Sequence, residues 1–351
     1  MTTRDRTAGG DPLLSVEDLH THIPTPDGTV RAVDGVTFDI EAGETVCLVG
    51  ESGSGKTLTC DSVVGLVSHS DADIFGEVSF DGRNLVTLGE KPMRSVRGNR
   101  IAYVFQNAQG ALDPVYTIGD QIREAMTFHD DVSDTEGRQR AVELLTEVGL
   151  SRPGERVDQY PHELSDGMCQ RAAIAIALAP EPDLLIADEP TSALDVTIQA
   201  RIIELLEQIQ SERDLSLLLV THDLRVVSAL ADRVVVLFDG TVVERGSLES
   251  IFTQPGHPYT QALLRSFTGE RARPDVTNAD PPPDGCRFRN ECPHAIEACA
   301  GEPPSFYRVG DPADHEAACV FHGPEHDRSA VMADAPQFGE PTANEGERTD
   351  D

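Results

Sequence analysis

Lysine is almost missing from this sequence: Lys56 and Lys91 are the only two, so nearly all of the positive charge is arginine. Positive charge of any kind is scarce, with 28 Lys and Arg against 61 Asp and Glu and a formal net charge of -33. That shortage argues against nucleic acid as the main partner, because phosphate recognition wants a basic stripe. It also disfavours direct adhesion to anionic lipid. Long apolar runs are missing too. The longest, Ala172–Ala179 and Leu215–Val220, fall far short of the roughly 18 residues that a membrane span needs. The opening stretch MTTRDRTAGGDP has no apolar core of the secretory-signal kind. The expectation is a cytosolic chain, with any link to a membrane running through partners. Seven cysteines in such a chain point away from a disulfide framework.

So acidic a surface repels itself at low ionic strength, whereas at molar salt the screening length falls to about 3 Å. The composition resembles that of halophilic proteins, which predicts a salt-adapted host. The alternative is an acidic protein with a disordered acidic tail. A stability curve against KCl separates the two: a chain that gains nothing at molar salt is not halophilic.

What is present is enough apolar residue, 39%, for a sizeable core, and a length of 351 residues that suggests roughly two domains. Short apolar runs alternate with amphipathic stretches from about Leu13 to Arg265, the pattern of an α/β fold with a largely parallel sheet. Thr45–Val49, Ile101–Phe105, Leu184–Ala187, Leu215–Val220 and Val234–Phe238 read as core strands. Thr57–Val67, Arg138–Val148 and Met168–Leu178 read as helices. The expected division is a loose arm at 1–11, a main α/β domain at 12–266 with a helical insert at about 107–180, a cysteine-containing extension at 267–322, and an acidic disordered tail at 323–351. No internal repeat is visible, so one such module and not a tandem pair is expected.

Gly50-Glu51-Ser52-Gly53-Ser54-Gly55-Lys56-Thr57 matches G-x-x-x-x-G-K-[ST] between a strand and a helix, the context that gives the motif meaning. Glycines let backbone N–H groups curl around phosphate oxygens, and the helix N-terminus adds a favourable dipole. Lys56 reaches the β/γ-phosphates in this reading, and the Thr57 hydroxyl holds Mg²⁺. Leu184-Leu-Ile-Ala-Asp188-Glu189 is an apolar strand ending in two carboxylates. Asp188 suits Mg²⁺ held through water, and Glu189 suits a general base acting on the attacking water. A lone pair of acids at a strand end is ordinarily solvated, but Pro190-Thr-Ser-Ala-Leu-Asp195 follows directly and makes the pattern specific.

With these motifs the sequence resembles the ABC ATPase family, a P-loop NTPase (RecA-like) core with an antiparallel β edge and an α-helical insert. The resemblance implies that Gln106 in Tyr-Val-Phe-Gln is the Q-loop glutamine, which senses Mg²⁺ and the attacking water. It implies that Asp195 belongs to a loop crossing between two subunits, and that His222 in Val-Thr-His-Asp contacts the γ-phosphate. Leu164-Ser165-Asp166-Gly167-Met168 stands where the family has L-S-G-G-Q. There Ser165 and the Gly167 amide face the nucleotide held by the other subunit. Asp166 replaces the first glycine, and its carboxylate predicts a weakened composite site. On residue chemistry alone, Ser165 caps a helix and Asp166 favours its dipole. The family stacks adenine on an aromatic residue ahead of the P-loop; this sequence offers His22 or Ile23.

Asp34-Gly-Val-Thr-Phe-Asp, Ala111-Leu-Asp-Pro-Val-Tyr-Thr-Ile-Gly and His257-Pro-Tyr-Thr-Gln-Ala-Leu-Leu are similar to segments of oligopeptide/dipeptide importer ATPases. The resemblance spans roughly Leu13–His322, and the same branch includes nickel and oligosaccharide importers. It implies ATP and Mg²⁺, a second ATPase subunit (the same chain or another), two permeases, an extracytoplasmic binding protein, and a place on the cytoplasmic face of the membrane. The other classes weighed are a soluble ABC ATPase of translation or DNA repair, and a degraded regulatory subunit. Cys286, Cys292, Cys299 and Cys319 lack the short C-x₂₋₄-C pairs of zinc sites and the common ferredoxin spacings. Spacing leaves iron–sulfur, zinc and free or disulfide-bonded cysteines open; the resemblance implies a [4Fe-4S] cluster. Cys47, Cys60 and Cys169 read as small core residues.

Overall fold

The computed structural model describes residues 11–68, 71–127, 132–192, 194–267, 282, 284–310, 314–333 and 335–336. Its strands are β1 (Leu14–Thr25), β2 (Gly28–Ile40), β3 (Thr45–Val49), β4 (Asp73–Phe80), β5 (Arg83–Asn84), β6 (Ile101–Val104), β7 (Leu184–Asp188), β8 (Ser216–Thr221), β9 (Arg233–Phe238), β10 (Thr241–Ser247), β11 (Tyr307–Arg308) and β12 (Glu316–Ala317). The chain forms two compact units. One takes in Met1–Glu44, Thr59–Ile186 and Gln208–Leu217; the other takes in Thr45–Leu58, Ala187–Glu207 and Leu218–Asp351.

The first unit holds a four-stranded sheet in the order β2-β1-β4-β5, with antiparallel pairing throughout. Alternation along β1 buries Leu14, Val16, Leu19 and Thr21. The step of three between Val16 and Leu19 breaks a period of two, and a register shift falls there. Asp18 takes up the irregularity with a left-handed backbone, φ 49°. On β4, Gly76 lets the neighbouring strand come close, since a Cβ there would fall 2.3 Å from the Asp18 carbonyl oxygen.

The same unit carries helices Ile118–Thr127, Asp134–Glu147 and Asp166–Leu178, which bury Ile118, Ile122, Leu144, Leu145 and Ile174. The second starts four residues before the expected Arg138. Ser133 caps it by accepting from the Glu136 N–H, and Asp134 and Glu136 occupy the first turn, where the dipole favours acids.

The second unit builds its sheet around β3, whose five residues are all buried. β9 runs parallel beside it, β10 antiparallel beyond, then β12 and β11. The C-terminal ends of β8 and β7, from Leu218 and Ala187 onward, belong to this unit on the other side of β3, in the order β3-β8-β7. The expected strands differ from these by a residue at most at either end. The helix expected at Thr57–Val67 is shorter, Lys56–Val63.

The extension beyond 267 joins this sheet: Glu244 pairs with Ala317 and Arg245 with Glu316 between β10 and β12. Glu244, fully buried, accepts from the Gly256 and His257 N–H groups at 2.6 and 2.8 Å and pairs with His315 Nε2 at 2.7 Å. The tail expected to be disordered from Gly323 needs correction over its first part. Residues 323–333 are described and include the helix Ser329–Met332, because Val331 packs against Cys319 and Phe321 and its carbonyl accepts from Gln261. The rest of that tail, apart from 335–336, and the arm at 1–10 lie outside the described residues.

Candidate functional site

β3 ends at Val49, β7 at Asp188 and β8 at Thr221, so three neighbouring strands finish on the same side of the sheet, the edge where α/β folds place ligands. The loop after β3 turns at once. Gly50 is required there because a Cβ would stand 2.2 Å from the Leu237 carbonyl oxygen. Ser54 O accepts from the Gly240 N–H at 2.9 Å, which ties the loop to the β9–β10 turn. Lys56 is buried, and its ammonium donates to Gly50 O at 2.8 Å, Glu51 O at 2.7 Å and Ser54 Oγ at 3.3 Å. A buried cation held over a ring of backbone, at the start of the helix Lys56–Val63, is an anion-binding arrangement.

The Thr57 hydroxyl donates to Asp188 Oδ1 at 3.2 Å. These are hard oxygen donors close enough to share one small divalent cation, and they fit Mg²⁺ in chemistry. The next residue, Glu189, has a left-handed backbone with φ 44°, a conformation that is unfavourable outside glycine. Its N–H donates to Val220 O at 2.8 Å, so the turn is pinned to the end of β8. Glu189 Oε1 lies 3.0 Å from His222 Nδ1, with Glu189 16% exposed and His222 61% exposed. Asp195 accepts from the Ile198 N–H at 3.0 Å at the start of the helix Val196–Arg213, while Ala193 lies outside the described residues.

The structure therefore brings Gly50–Thr57, Asp188, Glu189 and His222 together within the second unit. Gln106, Ser165 and Gly167 belong to the first. Gln106 follows β6 and is exposed. Ser165 sits at the N-cap of the helix Asp166–Leu178, but its side chain makes no cap hydrogen bond, which corrects the expected capping role. Ser165 and Asp166 are both exposed, whereas the Gly167 beside them is buried. His22 is not a free platform: its Nε2 lies 3.1 Å from Asp34 Oδ1.

The four late cysteines line one recess together with His257, Arg289 and Phe321. All four are free thiols, and the Cys286 N–H donates to the Cys299 carbonyl at 2.9 Å. Burial, followed by repulsion from the neighbouring sulfurs, pushes the Cys292 thiol up to about 11 and the Cys319 thiol up to about 12. Four thiols facing one space, Cys299 and Cys319 buried and Cys286 and Cys292 half-buried, are a donor set for a soft metal centre, whose charge offsets the cost of the thiolates. Among the described residues, no three of these sulfurs lie within 4.8 Å of one another. A single tetrahedral zinc, at 2.3 Å per bond, needs sulfurs about 3.8 Å apart.

Sequence reading missed Tyr259. Its hydroxyl accepts from the Glu51 N–H of the loop at 2.9 Å, and its ring packs between Phe238 and Phe288, with centroids at 4.7 and 5.5 Å. The cysteine-bearing segment thus supplies Phe288, the ring that supports Tyr259 from behind. In the sequence, Tyr259 is simply the second residue of a helix starting at Pro258.

The profile of the ABC transporter family matches residues 33–192, and that of the oligopeptide/dipeptide transporter C-terminal region matches 243–299. The dipeptide transport ATP-binding protein DppD of Bacillus subtilis is 47% identical over 82% of this chain and 88% of its own length. The oligopeptide transport ATP-binding protein AppD of the same organism is 46% identical over 84% and 92%. The Escherichia coli DppD is 42% identical over 85% and 94%. Among solved structures, the dimeric post-hydrolysis state of the ATP-binding cassette MJ0796 bound to ADP and Pi is similar at a TM-score of 0.61. It shares 30% identity, over 67% of this chain and 98% of that one.

Proposed function

The chain belongs to the ABC transporter family, and from that premise we propose that it is the ATP-hydrolysing subunit of a dipeptide or oligopeptide importer. The observation that carries this reading is the pairing of Thr57 with Asp188 and of Glu189 with His222 directly beside the loop of Lys56. Loop amides and Lys56 hold the β/γ-phosphates. Mg²⁺ would supply charge neutralisation when bound, and Thr57 and Asp188 would hold it. Glu189 accepts the proton of the attacking water. His222 orients Glu189 through Nδ1 and turns its exposed edge to the γ-phosphate. The rate gain is mainly positioning and electrostatics.

The partners in this reading are a second ATPase subunit, two permeases and an extracytoplasmic binding protein, with the chain peripheral on the cytoplasmic face. Among the described residues, no helix is long and apolar enough to cross a membrane. Gentle affinity purification from membranes tests the assembly. Permease chains and a binding protein are expected to co-purify, and recovery with ribosomes or DNA-repair factors instead would overturn it.

Ser165, Gly167 and Asp195 complete the partner's ATP site, in which the Asp166 carboxylate opposes the γ-phosphate. Asp166→Gly is expected to raise the ATPase rate of the assembled complex several-fold. An unchanged rate removes the repulsion argument.

The cysteines suit a [4Fe-4S] cluster, held by Cys286, Cys292, Cys299 and Cys319 as a staple of the extension. The shared recess, in which no three of the sulfurs come within 4.8 Å of one another, supports this over a single zinc ion. Purified protein is expected to be brown, with visible absorbance lost in Cys292→Ser. Stoichiometric zinc without iron would refute the assignment. The acidic surface suits a salt-adapted host, with folding stability that rises toward molar KCl; a flat or falling curve is the contrary result.

A further inference from the structure

One cluster of potential ligands lies apart from the nucleotide loop and the cysteines. It sits on the antiparallel sheet of the first unit, where β1 pairs with β2. His20 and His22 are two residues apart on β1 and share one face. Asp34 is the direct cross-strand partner of His20. His20 Nδ1 lies 2.9 Å and His22 Nε2 3.1 Å from the same oxygen, Asp34 Oδ1. All three ligand atoms fall within 4.8 Å of one another, the only such set of three or more His, Cys, Asp or Glu among the described residues.

The surroundings fix this geometry. The bulge at Asp18 curls its carboxylate back, and Asp18 Oδ1 stands 3.0 Å from His20 Nε2. Phe75 stacks on the His20 ring at 4.4 Å and 11°, and meets the edge of His22 at 5.1 Å. Gly35, next to Asp34, holds a positive φ of 80° that suits glycine. Both rings turn a nitrogen to one Asp34 oxygen, while the other oxygen lies 3.7 Å from Arg31 Nη1. A cation between the two nitrogens and that shared oxygen is held by all three. The Nε2–H of His20 then donates to Asp18, the carboxylate–histidine–metal arrangement that orients metal ligands.

We propose that His20, His22 and Asp34 bind a borderline divalent cation of the zinc, cobalt and nickel class, with Asp18 as the positioning residue. Two imidazoles and one carboxylate select such ions over Mg²⁺, which prefers oxygen donors and retains its water. The ligands are 17%, 19% and 16% exposed, so the site is reachable from solvent and leaves coordination positions open. Bound metal staples β1 to β2.

Cobalt is the probe. The full chain is titrated with Co²⁺ in millimolar Mg²⁺, which saturates sites built from carboxylates alone. One equivalent is expected to bind with visible d–d absorption and no thiolate charge-transfer band, and to persist in Cys292→Ser. His20→Asn and Asp34→Asn are expected to abolish it. Asp18→Asn leaves the three donors in place and suits the left-handed backbone of that position; it is expected to weaken binding about 10–100-fold. Affinity is expected to rise with pH, because the metal displaces protons. If His20→Asn binds Co²⁺ like the parent chain, or the only signal is thiolate charge transfer, the cluster is a hydrogen-bonded network and the proposal falls. Should His20→Asn fail to fold, unchanged binding in folded Asp18→Asn overturns it equally.

Discussion

Glu189→Gln is expected to lower ATP turnover by about 10²–10⁴-fold, the range contributed by a positioned general base. Glutamine has the shape of glutamate and can still meet His222 Nδ1, so the local geometry survives while the basic oxygen is lost. The Glu189 backbone depends on its N–H bond to Val220 O and on the left-handed turn, neither of which involves the side chain. ATP binding is therefore expected to stay within a few-fold of the parent. Phosphate release at saturating ATP, alongside nucleotide binding, separates the two effects. Since Glu189 and His222 act as a pair, Glu189→Gln combined with His222→Ala is expected to be little worse than the stronger single change. Turnover within tenfold of the parent in Glu189→Gln would place the base elsewhere.

Glu244→Ala is expected to cost about 3–5 kcal/mol, because three buried groups lose the acceptor they share. The carboxylate sits on β10 and gathers the Gly256 and His257 N–H groups and His315 Nε2. Alanine leaves two buried backbone donors and one imidazole without their acceptor, and each unpaired buried group costs about 1–3 kcal/mol. The damage should concentrate in the extension. Limited proteolysis is expected to cut between residues 286 and 322 well before the nucleotide loop is attacked. A thermal midpoint and cleavage pattern like those of the parent would show that Glu244 does not anchor this segment. His315→Ala probes the same contact from the other side, and the double change is expected to fall short of the sum of the two.

The core strands and the nucleotide loop were legible because their signals are local. An apolar run, a glycine turn and a Lys-Thr pair sit within a dozen residues, and β7 carries its two carboxylates on its own end. Helix starts were less legible. The apolar spacing starts at Arg138, while the cap at Ser133 is written in polar residues that periodicity ignores. Composition after Gly323 is acidic and polar and reads as disorder, yet a single apolar residue, Val331, decides the local order. Contacts that join distant segments were not legible at all. Tyr259 lies 208 residues from Glu51. The meeting of His20, His22 and Asp34 depends on the register shifts along β1, which no pattern of residue types states.

The Tyr259 contact makes the Glu51 amide a reporter. Its proton is held by a ring that Phe288 supports, in the segment between Cys286 and Cys292. Exchange of that one proton with solvent should therefore track the opening of the extension as well as the occupancy of the loop. Linkage then works in both directions: whatever factor a filled cysteine recess applies to the affinity for nucleotide, nucleotide must apply to the affinity of the recess. With the recess filled, the cysteine-bearing segment would then be part of the balance that sets how tightly ATP is held.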